Sequence, residues 1–331
     1  MKAAVINNFV QSWNELDVIN VAKPAVRPGH VLVKIKVAAG NPVEKPLAFG
    51  YLAGNGWKTP FPYTLGEDFA GVVEEVGSDV TAFTAGDAVF AMNWGQSQPH
   101  DNIENPLVGG AFAEYILIPA HKLSKIPTGV SFENASVLGV VGTTAHQGVV
   151  QIGQVTTGTR ILILGGSSSV GIVAIQLAKS RGAHVITTAS SRTFGFVSTL
   201  GADKVINYNE TNWENDPELK GVDVVFDTVG EKDGLQRAVN SGVVKSNGVF
   251  ASIADFSLGW NPAGHPPLSF GAVFSVRQNT AAQDELVQLV LEGKIKIPID
   301  EKFPFSKEGV IALLHKIESG KSVGKNLLVI T

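Results

Sequence analysis

In the first part of the chain, apolar residues come in short runs rich in valine, isoleucine and alanine: Val31–Ala38, Ala70–Val76, Asp87–Ala91 and Ala113–Ile118. Gly29, Gly77, Gly86 and Pro119 bound these runs, and runs of this kind between turn residues predict strands. They predict a mostly antiparallel, barrel-like domain. From about Ser131 the pattern changes. Apolar runs at Arg160–Leu164, His184–Thr188, Lys204–Ile206, Asp223–Asp227 and Gly248–Ile253 alternate with stretches of helical period, which predicts parallel strands joined by crossovers. Two helices, Ala281–Glu292 and Lys307–Glu318, then lead to a terminal strand, Asn326–Ile330. A strand placed after the alternating section is expected to rejoin the first domain, which would make the alternating domain an insertion.

Residues Ile161 to Gly171 read ILILGGSSSVG and run into the helical pattern Ile172–Arg181. A buried strand turning into a helix through glycines presents free N–H groups that can hold a pyrophosphate. In the usual GxGxxG frame, Gly166 and Gly171 fill the outer places and Ser168 stands in the middle one. A serine-hydrolase elbow, GxSxG, would need glycine where Val170 stands. The serines are therefore read as hydroxyl donors to phosphate beside the backbone N–H groups of Ser167, Ser168, Ser169, Val170 and Gly171.

The next strand ends in VITTASSR. A site for NAD commonly places an acid there for the ribose 2′-hydroxyl, whereas a site for NADP offers a cation or hydroxyls to the 2′-phosphate. Ser190, Ser191 and Arg192 make the second offer, and no acid occurs before Asp203. NADPH is the expected cofactor.

Composition narrows the classes further. The chain has 331 residues, is 44% hydrophobic, carries a net charge of −4 and contains no cysteine. That is enough for a large core in two domains, while a nucleic-acid surface would show a basic excess. The absence of cysteine removes disulfides and thiolate metal sites and fits a reducing compartment. The longest apolar stretch, Ile161–Ala178, is broken by serines and glycines and does not read as a membrane span. The start, MKAAVINNFV, lacks the pattern of a secretory signal, so a cytoplasmic location is expected.

Several segments, in order, resemble a zinc-independent medium-chain dehydrogenase/reductase of the quinone oxidoreductase (zeta-crystallin-like) branch. They are MKAAV at the start, GNPVEKP at 40–46, LGEDFAGVVEEVG at 65–77, GTTA at 142–145, ILILGGSSSVG, LGADKVINY at 200–208, FDTVG at 226–230 and ESGKSVGKNLLV near the end. The resemblance implies an α/β architecture: a GroES-like barrel catalytic domain from residues 1–128 and 275–331, and a Rossmann doubly wound parallel-sheet NADPH-binding domain from 129–274. It implies that Asn41 and Thr144 lie near the nicotinamide, and that Ser190, Arg192 and Tyr208 surround the 2′-phosphate. Val229, Ile253 and Asn326 would add cofactor contacts, and Tyr51 would line the substrate cleft, with Asn41 and Tyr51 as the catalytic candidates. It also implies homodimers along the Rossmann sheet edge, and tetramers in some members; Gly248–Asp255 followed by Phe256, Leu258 and Trp260 reads equally as that edge with an apolar contact or as a buried core strand. Two departures stand out: Glu44 where the branch often has aspartate, and Phe194–Phe196 where it often has a lysine.

Zinc members of the superfamily use a cysteine near 41–44 and a Gly-His-Glu segment, and here those places hold Asn41–Glu44 and Gly66-Glu67-Asp68. Histidines at 30, 100, 121, 146, 184, 265 and 315 form no HxxxH pair, so no metal site is expected. Asp68 is expected to bond within the fold and Glu67 to lie near the cleft, on opposite faces of a strand. Without a metal, hydride transfer to a conjugated acceptor needs the least help. The expected activity is NADPH-dependent reduction of a quinone or α,β-unsaturated carbonyl, with Tyr51, a backbone N–H or water meeting the developing oxyanion. Two alternatives are a pathway-specific trans-enoyl reductase and a nucleotide-binding structural or RNA-binding crystallin-like protein. Gly50–Pro62 and Phe256–Phe270 are expected to border the substrate cleft.

Overall fold

The computed structural model describes residues 1–53, 59–93, 109–265 and 267–330. His100, residues 54–58 of the first expected cleft segment and Pro266 of the second lie outside them. The chain forms two compact units, one of Met1–Val140, Gln278–Glu292 and Pro298–Thr331, the other of Val141–Arg277 and Gly293–Ile297.

The first unit begins with strands β1 (Lys2–Ile6), β2 (Asp17–Asn20) and β3 (His30–Ala39), the short helix α1 (Glu44–Ala48), strands β4 (Tyr63–Thr64), β5 (Asp68–Val76), β6 (Ala88–Met92), β7 (Tyr115–Pro119) and β8 (Ser124–Lys125), and helix α2 (Phe132–Ser136). The boundary falls at 140/141 rather than at 128/129 because α2 packs on β3 and β5. Ser131 caps α2 by accepting from Asn134 N–H.

The second unit holds helix α3 (Thr143–His146), followed by a π turn at Gln147–Ile152, then β9 (Arg160–Leu164), α4 (Ser169–Ser180), β10 (His184–Ala189), α5 (Phe194–Ser198), β11 (Lys204–Asn207), β12 (Val222–Asp227), α6 (Gly234–Asn240), β13 (Val244–Ser252) and β14 (Phe270–Val273). All neighbours pair in parallel, in the order β11-β10-β9-β12-β13-β14. Numbered within the unit this is 3-2-1-4-5-6, the dinucleotide-binding order, which reverses between β9 and β12. The run around Gly248–Asp255 is therefore not an edge. β13 lies between β12 and β14, and β14 is the edge strand beyond it. Leu162, Leu164, Ile186, Val225 and Phe250 build the core here, each buried side chain contributing about 1.5–3 kcal/mol.

The chain returns to the first unit through α7 (Thr280–Leu291), β15 (Ile299–Pro304), α8 (Lys307–Glu318) and β16 (Lys325–Val329). Residues 293–297 between α7 and β15 stay with the second unit, where Gln176 exchanges hydrogen bonds with the Lys296 backbone (3.0 and 2.9 Å). The first unit's larger sheet runs β15-β16-β3-β5-β6-β8, with β7 also on β3. Its core includes Trp13, Tyr63, Phe69, Phe112 and Leu313. No helix among the described residues is long and apolar enough to cross a membrane.

Candidate functional site

In the second unit the strand registers bring one set of expected residues to the carboxyl edge of the parallel sheet. β9 ends at Leu164, and the chain turns at Gly165, whose φ is +84°. The tight turn is thus made by Gly165, one residue before the expected Gly166. A Cβ on Gly165 would stand 2.3 Å from Val229 Cγ1, so the turn lies directly against the end of β12. A Cβ on Gly171 would stand 2.2 Å from the Gly165 carbonyl oxygen, and glycine there lets the first turn of α4 close onto the strand. The result is a helix N-terminus at the topological switch point, where N–H groups ahead of the helical ladder can take an anion.

The serines are not equivalent. Ser168 is the N-cap of α4, accepting from Gly171 N–H at 2.9 Å. Thr228 Oγ1 donates to the Leu164 carbonyl at 2.7 Å and lies 2.8 Å from Ser168 Oγ. With the Thr228 proton on Leu164, Ser168 donates to Thr228, and its own proton is spent. Ser168 therefore shapes the turn. Ser167 and Ser169 are half-buried beside it. Asp227, at the end of β12, accepts from the backbone N–H groups of Val229, Gly230 and Glu231 (3.0–3.2 Å) and from Ser252 Oγ (2.8 Å). Burial pushes its carboxyl up, and these donors oppose the shift. They also fix the loop that presents Val229, which is 48% exposed. Ile253 follows β13 and donates its N–H to the Asp227 carbonyl at 3.1 Å.

At the end of β10, Ser190 Oγ lies 3.0 Å from Thr193 Oγ1. Ser191 joins Asn207 and Asn209, its N–H donating to Asn209 Oδ1 at 2.9 Å. Arg192 is exposed in the same turn, and Tyr208 follows β11 with its N–H on the Ala189 carbonyl (3.0 Å) and its ring half-exposed. The Glu210 carboxylate enters this network through Asn207 Nδ2 at 2.7 Å. Asp203 is turned to the opposite end of β10, where it accepts from Val185 N–H (2.7 Å) and Lys179 Nζ (2.8 Å). Thr144 is buried on α3, which packs on α4.

The first unit holds a different site. Pairing sets Ala39 of β3 opposite Asp68 of β5 on one side and Leu327 of β16 on the other. The starts of β5 and β16 therefore flank the end of β3, and Asn41, Asp68 and Lys325 converge there. Lys325 is 2% exposed. It donates to Asn41 Oδ1 and stands 3.7 Å from Asp68 Oδ2. Asn41 Nδ2 donates to Asp68 Oδ2 (3.0 Å) and the Ala39 carbonyl (3.3 Å), and Asp68 Oδ1 accepts from Val140 N–H (2.6 Å). Both amide protons of Asn41 are thus committed inside the unit. Burial pushes the Asp68 carboxyl up and the Lys325 ammonium down, and each charge offsets part of the other's shift.

Two more acids adjoin this pair. Glu44 opens α1, with Oε2 accepting weakly from Gly66 N–H (3.4 Å). Glu67 accepts from Tyr63 Oη at 3.0 Å. Glu67 is buried, at 1% exposure, and burial raises its carboxyl to about 8. No group of three or more His, Cys, Asp or Glu among the described residues is arranged to hold a metal ion. Tyr51 is 62% exposed, its ring tilted against Phe49 at 5.9 Å, and makes no part of this cluster. Asn326 is buried on β16, donating to Ser322 Oγ at 2.8 Å. The residue that sequence reading passed over is Lys325. Its signal was present, since it is the one charge in the apolar closing strand VGKNLLVI.

Comparison with known proteins agrees with both halves. Residues 27–128 match the alcohol dehydrogenase GroES-like domain, and residues 200–328 match the zinc-binding dehydrogenase family. The chain is 33% identical over 311 residues to a 2-methylene-furan-3-one reductase of Solanum lycopersicum, covering 92% of this chain and 73% of that one. It is 32% identical over 308 residues to a chloroplastic NADPH-dependent alkenal/one oxidoreductase of Arabidopsis thaliana, with the same coverage. The structure of a quinone oxidoreductase from Coxiella burnetii superposes with a TM-score of 0.82 at 29% identity, over 100% of this chain and 99% of that one. The chain belongs to the medium-chain dehydrogenase/reductase superfamily, in its quinone oxidoreductase branch.

Proposed function

We propose that the protein is an oxidoreductase that uses NADPH to reduce a quinone or an α,β-unsaturated carbonyl without a metal. The observation that carries the cofactor reading is the carboxyl edge of the parallel sheet. There the Gly165 turn, the start of α4 and the Ser190–Arg192 turn follow one another along β9 and β10, while Asp203 is spent at the far end of β10. The first-turn N–H groups of α4 and Ser167 would hold the pyrophosphate, and Ser190, Ser191, Arg192 and Tyr208 would surround the 2′-phosphate. Val229, held out by the Asp227 turn, and Ile253 would flank the cofactor, and Thr144 would stand towards its nicotinamide end. The bound nicotinamide supplies a hydride, and the protein's task is orientation.

The metal-free part of the proposal draws support from Lys325, whose ammonium already stands against Asn41 and Asp68. The acceptor class is supported by relatives named for enones, alkenals and quinones. Tyr51, exposed beside Phe49, is the proposed substrate-lining side chain. A homodimer along the β14 edge and a cytoplasmic setting complete the reading, supported by the side of β14 left unpaired among the described residues and by the absence of cysteine.

The test is steady-state oxidation of NADPH and NADH by purified protein across quinones, alkenals and an enoyl thioester. Turnover with a quinone or simple enone, faster with NADPH, is expected. Absence of turnover with every acceptor overturns the proposal, and confinement to the thioester replaces it with a dedicated enoyl reductase. Arg192→Glu should lower the preference for NADPH over NADH by roughly tenfold or more, and an unchanged ratio would remove Arg192 from the 2′-phosphate site.

A further inference from the structure

Three carboxyls, Glu44, Glu67 and Asp68, and one ammonium, Lys325, are buried together in the first unit. If all four were ionised, two negative charges would lie uncompensated away from water, and a carboxylate so placed takes up a proton instead. Burial pushes the Asp68 carboxyl up, but Lys325, Asn41 Nδ2 and Val140 N–H all face it and favour its charged form. Glu44 has much less support. Its Oε2 receives one long contact from Gly66 N–H at 3.4 Å, and its Oε1, fully buried, has no hydrogen-bond partner among the described residues. A pocket of about 270 Å³ in the same unit is lined by Trp13, Asn41, Glu44, Leu314, Ile317 and Glu318 among others. It is large enough to hold water, and Oε1, closed to solvent in this structure, would meet such a water when the side chain turns towards the pocket.

We propose that Glu44 is a neutral carboxylic acid in the folded protein, hydrated through this pocket, and that it is the internal reservoir for the proton that must follow hydride transfer. This role rests on the reductase reading above. Burial and the charges of Glu67 and Asp68 push the Glu44 carboxyl well up, while Gly66 N–H and Lys325 pull it down. The other charged groups around it are Lys45 on its own helix and Glu318 on α8, which pair at 3.0 Å. Tyr63 faces Glu67 rather than Glu44.

Hydride addition to a conjugated acceptor leaves an enolate or a hydroquinone anion. The Glu44 O–H bond breaks, its proton passes by way of water to that anion, and the carboxylate left behind recovers a proton from solvent through the pocket. The nicotinamide is oxidised and the acceptor reduced by the hydride pair alone, so no further oxidant or reductant is needed.

Infrared difference spectroscopy on the intact protein, with no cofactor or acceptor added, tests the location of the proton. At neutral pH the wild type should show the C=O stretch of a protonated carboxyl that shifts in D₂O, and Glu44→Gln should remove a component distinct from the one removed by Glu67→Gln. The exchange should be complete far faster than global unfolding. No such band, or a band unchanged in Glu44→Gln, overturns the proposal. Should Glu44→Gln fail to fold, the wild-type band and its exchange rate still decide, together with Glu44→Asp, which retains an acid and should retain the band. In turnover with a quinone, Glu44→Gln should slow kcat by roughly 100-fold and raise the solvent deuterium effect, with NADPH affinity unchanged and Glu44→Asp restoring most of the rate. A wild-type rate in Glu44→Gln removes the reservoir role. A band present in a protein that turns over no acceptor sinks the reductase reading and with it proton delivery, while leaving the buried proton in place.

Discussion

In the first unit the polar groups that meet, Asn41, Glu44, Glu67, Asp68 and Lys325, come from separate stretches of the chain and are almost wholly buried. In the second, Gly165 to Gly171 are consecutive, and the groups proposed to hold an anion are backbone N–H groups at a half-exposed turn. The difference is one of solvation. A turn of backbone dipoles needs only local geometry, because unoccupied N–H groups can be met by water. A cluster of buried charges needs every partner placed by the fold, because a missing partner leaves a charge with neither water nor counter-ion.

The largest expected effect therefore lies in the first unit. Lys325→Met removes the only ammonium within 4 Å of Asp68 among the described residues, and breaking a buried pair from one side costs about 3–5 kcal/mol. Denaturant midpoints measure it. A loss below about 1 kcal/mol would mean that the cluster is solvated like a surface pair, and the contrast between the units would fall.

Glu67 sharpens the same point through pH. Its folded carboxyl holds a proton up to about 8, against an ordinary value of 4.5. Between these values the unfolded chain has released a proton that the folded state keeps, so this group's contribution is full below 4.5 and is lost as pH rises towards 8. The slope is about 1.4 kcal/mol per pH unit in that window. Glu67→Gln has nothing to release, so its stability relative to wild type should rise across the window. A flat difference would show that Glu67 is ionised in the folded protein.

The smallest effect belongs to the turn. Ser168→Ala deletes the acceptor for Gly171 N–H and the donor to Thr228, for a loss of about 1 kcal/mol, without the pH dependence expected for Glu67. A strongly pH-dependent loss would place a titrating group at the turn and erase the distinction between the two regions.

Much of the fold was legible from local pattern. Arg160–Leu164 and Lys307–Glu318 fall where the periodicity placed them, because an apolar run between glycines and a three-to-four residue apolar repeat each identify one element. Two strands escaped. β14 (Phe270–Val273) is only four residues long and β15 (Ile299–Pro304) carries Asp300, Glu301 and Lys302 in succession, and they are strands because a neighbour supplies the ladder. In the site, ILILGGSSSVG read correctly as a strand, a turn and a helix, yet the division of labour among its serines did not show. Ser168 is tied up by Thr228, 60 residues away, and nothing in the motif records that contact.

The sequence by itself determined the alternation of the second unit, the glycine turn and the absence of an acid at the end of β10, since these depend on neighbours along the chain. Only the tertiary structure decided that Lys325 stands against Asp68 and Asn41, and that Glu44 and Glu67 are buried beside them. The pairing of β3 with β5 on one side and β16 on the other joins residues more than 250 positions apart, and the charge state of a carboxyl depends on what surrounds it in space.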